Sequence, residues 1–123
     1  MAFKLYLLAG LGSFIGGTMR FAISHFFVTR FTTAFPYHTF LINIIGSFVI
    51  GIVAAASLRG SITENWKVFL AVGICGGFTT FSAFSLEMLD LLKAGSTVTA
   101  LIYAAASVTL GLLAAFAGFY MIK

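Results

Sequence analysis

Charged side chains are scarce in this sequence. Lys, Arg, Asp and Glu make up 8% of the 123 residues, whereas a soluble domain carries roughly 25%. Hydrophobic residues reach 61%, and the mean hydropathy is +1.12. A surface with so few charges cannot face water, so we predict a multi-pass protein of a cell membrane, with lipid as its solvent.

Cysteine and acidic residues are also scarce. Cys75 is the only cysteine, which excludes an intrachain disulfide and a thiolate metal site. No nucleophile with a positioned base and no pair of carboxylates stands out, which argues against an enzyme. No ATPase motif occurs. His25 and His38 fall near the predicted membrane edge, where histidines more often face the interface than bind a ligand.

Clusters of basic residues are missing as well, although the net charge is +4. A nucleic-acid surface needs clustered Lys and Arg, so we predict no nucleic-acid partner. Most basic residues instead fall at the ends of apolar runs, where long cationic side chains reach the membrane interface. These are Lys4, Arg30, Arg59, Lys67, Lys93 and Lys123.

Four long apolar runs dominate what the sequence does contain. Each has 23 to 27 residues, enough to cross a hydrocarbon core of about 30 Å. They extend over about Phe3–Phe27, Pro36–Leu58, Trp66–Leu92 and Thr97–Ile122. The first run lacks the pattern of a cleaved signal peptide and is long enough to span by itself. We therefore predict an all-α membrane protein with four transmembrane helices in one domain, residues 1–123.

The basic residues give almost no preference for one orientation in the membrane. Four helices place both termini on the same side. That side carries Lys4, Arg59, Lys67 and Lys123, and the other carries Arg30, Lys93 and Arg20, expected near the end of the first run. Four against three is too small a bias for the positive-inside rule, so the chain is predicted to insert in both orientations.

The third apolar run contains a segment that disfavours a continuous helix. Gly76 and Gly77 are adjacent, and Thr79 and Thr80 follow them. We predict a helix break at mid-membrane, which is tolerated only where the backbone is buried in protein or lines a cavity. Broken helices of this kind often build ion sites. The alternative is a packing kink whose hydroxyls bond back to the helix.

Polar and aromatic side chains recur at helical spacing in three of the runs. They are Thr39, Asn43 and Ser47; Phe81 and Phe84 with Ser82 and Ser85; and Thr99, Tyr103 and Ser107. Glu87 is the only acid deep within a run. Uncharged donors with aromatic edges suit a pathway for a small ion, although such stripes also serve as contacts between helices. Small residues such as Gly12 and Gly16 predict close helix packing.

The residues of all four runs resemble the CrcB/Fluc family of fluoride channels. GICGGFTTFSAFSLE, from Gly73 to Glu87, is similar to the family signature GxCGGxTTFSTFSxE. HTFLINIIGSFVIG, from His38, resembles GTLxVNxxGSFxxG, and the segment from Gly12 to Phe21 resembles GxxxGGxxRF. His38 departs from the glycine usual in the family and changes a contact at the pore entrance or loop. Ala83 departs from the frequent threonine and removes a hydroxyl.

The resemblance implies a passive, fluoride-selective channel that exports fluoride from the microbial cytoplasm. It also implies an antiparallel, dual-topology homodimer with two pathways and a structural sodium ion at its centre. Sodium would be held by the backbone carbonyls of Gly76 and Thr79. The implied fluoride pathway comprises Asn43, Phe81, Phe84, Thr39, Ser82, Ser85, Tyr103, Ser107, Glu87 and Arg20.

Two other functions are compatible with four apolar helices. A proton-coupled small multidrug exporter needs a membrane-embedded glutamate, for which Glu87 is the only candidate. A subunit that only assembles with other proteins would use its polar stripes as contacts. The second alternative leaves the Gly-Gly-Phe-Thr-Thr segment without a role.

Overall fold

Four long helices account for nearly all of the chain in the computed structural model, which describes residues 2–32 and 35–122. They are Ala2–Arg30, Tyr37–Leu58, Glu64–Lys93 and Thr97–Ile122, named here the first to fourth spans. Each is long and apolar enough to cross a membrane. The predicted all-α class with four spans is confirmed, and every helix end lies within three residues of its predicted position.

Large apolar side chains cover the outside of the bundle. Phe3, Phe14 and Leu58 are more than 70% exposed, whereas the largest fully buried side chains are Tyr103 and Ile42. A water-facing surface would not expose so many phenylalanines and leucines together, because each would carry an unfavourable hydration cost. The protein is therefore a multi-pass membrane protein whose outer surface faces lipid or other protein.

The first span packs closely against the first half of the third span, residues 64–78. A Cβ atom built on Gly12 would lie 2.5 Å from the carbonyl oxygen of Phe69. One built on Gly77 would lie 2.6 Å from the carbonyl oxygen of Ser13. Backbone meets backbone at this seam, so the predicted packing role of Gly12 is confirmed.

The second and fourth spans form another close seam and run parallel. Gly51 faces the backbone of Ala115, and further along both helices Arg59 donates from Nη1 to the carbonyl oxygen of Ile122. Gly118 faces the carbonyl of Phe48 with no room for a Cβ atom. Since helices gain no hydrophobic energy from each other in lipid, such close approach supplies much of the attraction between them.

The third span is not a regular helix. It begins with a short α-helix, Glu64–Lys67, capped by the hydroxyl of Thr63, and continues as a π-helix over Val68–Cys75. After the turn Gly76–Phe78, the backbone becomes extended at Thr79 (φ −111°, ψ 131°) and Thr80 (φ −136°, ψ 140°). A second helix, Phe81–Lys93, completes the span. The third span is therefore interrupted at Thr79 and Thr80.

The interruption lies at the threonines and not at the glycines. Gly76 has helical backbone angles, and Gly77 is helical and packs against the first span. The hydroxyl of Thr79 donates to the carbonyl oxygen of Cys75, 2.9 Å away, and so completes the first half. The hydroxyl of Thr80 accepts from the backbone N–H of Ala83 at 3.0 Å and caps the second half. Threonine hydroxyls therefore stabilise both ends of the break.

Short links join the spans. Gly60 and Gly95 have positive φ angles of 74° and 81° in the links after the second and third spans. Side chains rarely adopt this left-handed backbone, so glycine suits these turns. Pro36, the predicted start of the second span, lies one residue before the helix, which begins at Tyr37.

Candidate functional site

A groove of about 270 Å³ opens beside the break in the third span. Its lining combines the amide of Asn43, several hydroxyls and two phenylalanine rings; the lining residues are Asn43, Ser47, Thr79, Thr80, Phe81, Phe84, Ser107 and Val108. None of them carries a formal charge. The second and fourth spans supply Asn43, Ser47 and Ser107. The break supplies the two threonines, and the helix that follows it supplies the two phenylalanine rings.

Ser107 contributes a hydroxyl to the groove. It is buried, and among the residues that the structure describes it has no hydrogen-bond partner. A buried hydroxyl without a partner costs about 1–3 kcal/mol. Its position at the groove makes it available to a ligand that accepts a hydrogen bond.

The two phenylalanines differ in their surroundings. Phe81 is 79% exposed and lies with its ring centroid 5.8 Å from that of Phe84. Phe84 is half-buried, and its ring packs 5.0 Å from that of Tyr103. Phe84 therefore joins the groove to a second polar cluster around Tyr103.

This second cluster surrounds the carboxylate of Glu87. The hydroxyl of Thr39 donates to Oε2 at 2.6 Å, and the hydroxyl of Tyr103 donates to Oε1 at 2.9 Å. The imidazole Nε2 of His38 lies 3.5 Å from Oε2. Three spans meet here, because Thr39, Glu87 and Tyr103 come from the second, third and fourth. Charge-assisted hydrogen bonds of this kind are roughly twice as strong as neutral ones.

Arg20 lies away from both polar regions. Its Nε donates to the carbonyl oxygen of Gly77 at 3.4 Å, on the side of the third span that faces the first. The first span continues for ten residues to Arg30, about 15 Å of helix. Arg20 is therefore further from the helix end than predicted, which weakens the predicted four-against-three charge count.

A family model described as CrcB-like protein, Camphor Resistance (CrcB), matches residues 7–119. The chain belongs to the CrcB-like family. The match includes the groove, the break and the cluster around Glu87. The predicted resemblance to the CrcB/Fluc family is confirmed.

Several curated relatives match nearly the full length of the chain. A protein of Thermus thermophilus named fluoride-specific ion channel FluC is 42% identical over 97% of this chain and 94% of its own length. A Nitrobacter hamburgensis protein named fluoride-specific ion channel FluC 2 is 41% identical over 96% of both chains. A Rhizobium meliloti protein with the name fluoride-specific ion channel FluC is 40% identical over 95% of this chain and 94% of its own.

The predicted site residues of this CrcB-like chain fall into four places. The groove contains Asn43, Phe81, Phe84, Ser107 and Thr79, and the cluster around Glu87 contains Thr39 and Tyr103. Ser82 is exposed beside the break, with its hydroxyl 3.4 Å from that of Thr80. Ser85 and Gly76 are also exposed, and Arg20 contacts the opposite side of the third span.

Two residues at these sites did not stand out in the sequence as site residues. Thr80 was expected only to weaken the helix, yet its side chain caps the second half and lines the groove. A threonine directly before a helical segment is a common N-cap, and this pattern could have indicated the role of Thr80. His38 was expected at the membrane edge and instead lies beside Glu87, 49 residues later in the chain. No local sequence signal reports a contact at that separation.

Proposed function

We propose that this protein is a subunit of a fluoride-selective channel that carries fluoride passively out of the cytoplasm. The proposal rests on the groove beside the break in the third span. Fluoride is small and strongly hydrated, so a pathway must replace its water with hydrogen-bond donors. Asn43 offers two N–H donors and Ser107 a hydroxyl without a partner among the described residues.

The phenylalanines fit the same ion. An aromatic ring is electropositive at its edge, so it attracts an anion without holding it by a full charge. Phe81 and Phe84 lie side by side on one face of the second half of the third span. Weak sites in series allow an ion to leave as easily as it enters. The names of the relatives agree with this reading, and they describe a channel and not an enzyme.

The proton-coupled exporter is not favoured. An exporter of that kind needs a glutamate that exchanges protons freely in the central path. Glu87 instead accepts hydrogen bonds from Thr39 and Tyr103 and lies outside the groove. The relatives named after fluoride channels further favour the channel.

Ion efflux from liposomes tests the proposed function. Purified protein is reconstituted in vesicles loaded with potassium fluoride or potassium chloride, and a potassium ionophore supplies the counter-ion path. We expect rapid loss of fluoride and little loss of chloride compared with protein-free vesicles. Equal efflux of the two halides would contradict selectivity, and no efflux of either would contradict conduction.

We further propose that two copies form an antiparallel, dual-topology homodimer. In one subunit the groove is open and Phe81 is 79% exposed, so a single chain cannot enclose a path for an ion. A second copy would supply the missing wall. Added lysines in one link should force one orientation. Each biased variant should be inactive alone and active with its oppositely biased partner, whereas a native chain accessible from one side only would contradict dual topology.

A structural sodium ion at the dimer centre is the remaining part of the proposal. The carbonyl oxygens of Gly76 and Thr79 would hold it. They fit a hard cation because both are oxygen ligands, Thr79 lies in extended backbone outside the regular helix, and Gly76 is exposed. Two oxygens are too few for a cation, so a second subunit would complete the set. When bound, the ion supplies a fixed positive charge that favours anions nearby.

Sodium replacement tests this site. The protein is dialysed against a large organic cation, and dimer stability and fluoride efflux are compared with those in sodium. We expect both to fall and to recover when sodium returns. Thr79→Ser should bind sodium like the parent, because the ligands are backbone atoms. Unchanged stability and efflux after sodium removal would refute a structural cation.

A further inference from the structure

His38 faces a cavity of about 740 Å³ at the end of the bundle near the link between the first and second spans. The residues that line it include three groups with acid or base chemistry besides His38: Tyr37, Glu87 and Asp90. No Lys or Arg is among the described residues that line it. The first span contributes only Phe27 and Val28, and Phe31 and Thr32 follow it. From the fourth span, Tyr103 bonds to Glu87 at the cavity wall.

Both nitrogens of the His38 ring face acceptors. Thr39 has a single hydroxyl proton and donates it to Glu87, so its oxygen presents a lone pair to Nδ1 of His38, 3.2 Å away. Nε2 faces the carboxylate oxygen Oε2 of Glu87 at 3.5 Å. A neutral imidazole carries one N–H, which leaves one nitrogen with its lone pair against an acceptor. The imidazolium carries two N–H groups and satisfies both contacts.

We propose that His38 controls how readily an anion enters the cavity, through a charge that depends on pH. This inference rests on the proposed fluoride pathway, which the cavity adjoins: Glu87 lines the cavity and accepts from Tyr103, whose ring packs 5.0 Å from that of Phe84 in the groove. With the imidazolium present, His38 and Glu87 form a neutral pair at the cavity wall. Once His38 loses its proton, Glu87 and Asp90 face the cavity without a nearby cation among the described lining residues. The same cavity then repels fluoride.

The expected size of the effect follows from Coulomb's law. One unit charge about 8 Å from an anion, at an effective dielectric constant of about 20, changes the local occupancy roughly 30-fold. The side chains of His38 and Glu87 remain 20% and 18% exposed, so water screens their charges. We therefore expect fluoride efflux about three- to tenfold faster at about pH 6 than at about pH 8, the range in which histidine ordinarily changes its charge. Efflux is expected to rise as pH falls because His38 then gains a positive charge.

Two substitutions test the role of charge at position 38, one with a permanent positive charge and one with none. His38→Lys keeps a positive charge throughout this range and should give fast efflux at both pH values. His38→Gln keeps hydrogen-bonding capacity without charge and should give slow efflux at both. His25→Gln is the matched control, because His25 is the only other histidine and stacks on Phe21 of the first span, away from Glu87. It should keep the pH dependence of the parent.

The measurement is fluoride efflux from reconstituted liposomes at the two pH values, with leak from protein-free vesicles subtracted at each. Parent efflux that is rapid but independent of pH would overturn the role of His38 while leaving fluoride conduction intact. A pH dependence retained in His38→Gln would overturn it too. Absence of fluoride efflux at either pH would instead contradict the proposed function. Size-exclusion profiles establish that each variant is folded.

Discussion

Two kinds of helix contact coexist in this small bundle. At the seams between spans, glycine lets backbone touch backbone, as at Gly51 against Ala115 and Gly118 against Phe48. Beside the break in the third span, side chains stand apart and leave a groove of about 270 Å³. The seams have no room for one additional carbon atom, whereas the groove has room for an ion and its ligands. Helices in lipid gain no hydrophobic energy from each other, so the close packing at the seams must hold the bundle together.

The contrast also separates stability from function. The glycines at the seams bring backbone against backbone, so their substitution should act on folding. Groove residues such as Asn43 and Ser107 offer donors that contribute little to packing. Their substitution should act on conduction while the fold remains. Five variants at four kinds of position test this division, in order of decreasing effect.

The largest effect is expected at the seam between the second and fourth spans. In Gly118→Ala, the new Cβ would overlap the carbonyl oxygen of Phe48, which is backbone and cannot rotate away. We expect a loss of about 3 kcal/mol in stability, measured by thermal unfolding in detergent. Gly10→Ala is the matched control: no atom lies within 4 Å of its added Cβ. It should be neutral or stabilise its helix by about 0.5–1 kcal/mol. Equal behaviour of the two variants would refute the close seam.

The next largest effect is expected in the groove, from Asn43→Asp. The new carboxylate is nearly isosteric but repels an anion. At about 5 Å and an effective dielectric constant of about 20, the repulsion is roughly 3 kcal/mol, or about two orders of magnitude in fluoride efflux. Asn65→Asp, in the short helix Glu64–Lys67, makes the same change away from the groove and should conduct like the parent. Normal efflux from Asn43→Asp would remove Asn43 from the pathway.

A smaller effect is expected from the phenylalanines. Phe81→Ile and Phe84→Ile retain bulk and remove the electropositive ring edge, so fluoride efflux should fall roughly tenfold, in line with about 1.4 kcal/mol per aromatic contact. Phe84→Ile should also lower the melting temperature, since its ring packs on Tyr103. Phe116→Ile, 57% exposed on the fourth span, is the control and should change neither quantity. Parent-like efflux in both groove variants would mean that these rings only pack.

The smallest effect is expected from Ser107→Ala. The hydroxyl has no partner among the described residues, so its removal should leave stability unchanged or raise it by about 1 kcal/mol. Fluoride efflux should fall about two- to fivefold, because one donor of the pathway is lost. Ser61→Ala, exposed in a link, should alter neither quantity. A clear loss of stability in Ser107→Ala would show that the hydroxyl has a structural partner in the assembled protein.

Much of the fold follows from local sequence. The four spans are apparent because lipid requires long apolar runs, and their ends follow from the basic and polar residues beside them. Residues 76–80 were predicted to disfavour a continuous helix, and within this segment the interruption falls at the threonines. Glycines weaken a helix, yet Gly77 remains helical. Because it has no side chain, the backbone of the first span packs directly against it. The break falls instead at Thr79 and Thr80, whose hydroxyls replace the lost backbone hydrogen bonds.

The sequence by itself determined the class of this protein: a membrane bundle of four spans with uncharged donors at helical spacing and a disrupted third span. Which donors share one space was decided only by the tertiary structure. Asn43 and Ser107 meet at the break, whereas Thr39 and Tyr103 bind Glu87, and Arg20 turns to the opposite side. Periodicity places a residue on one face of its helix but carries no information about which helix lies opposite. That choice depends on where glycines allow close approach, a property of pairs of helices that no single segment contains.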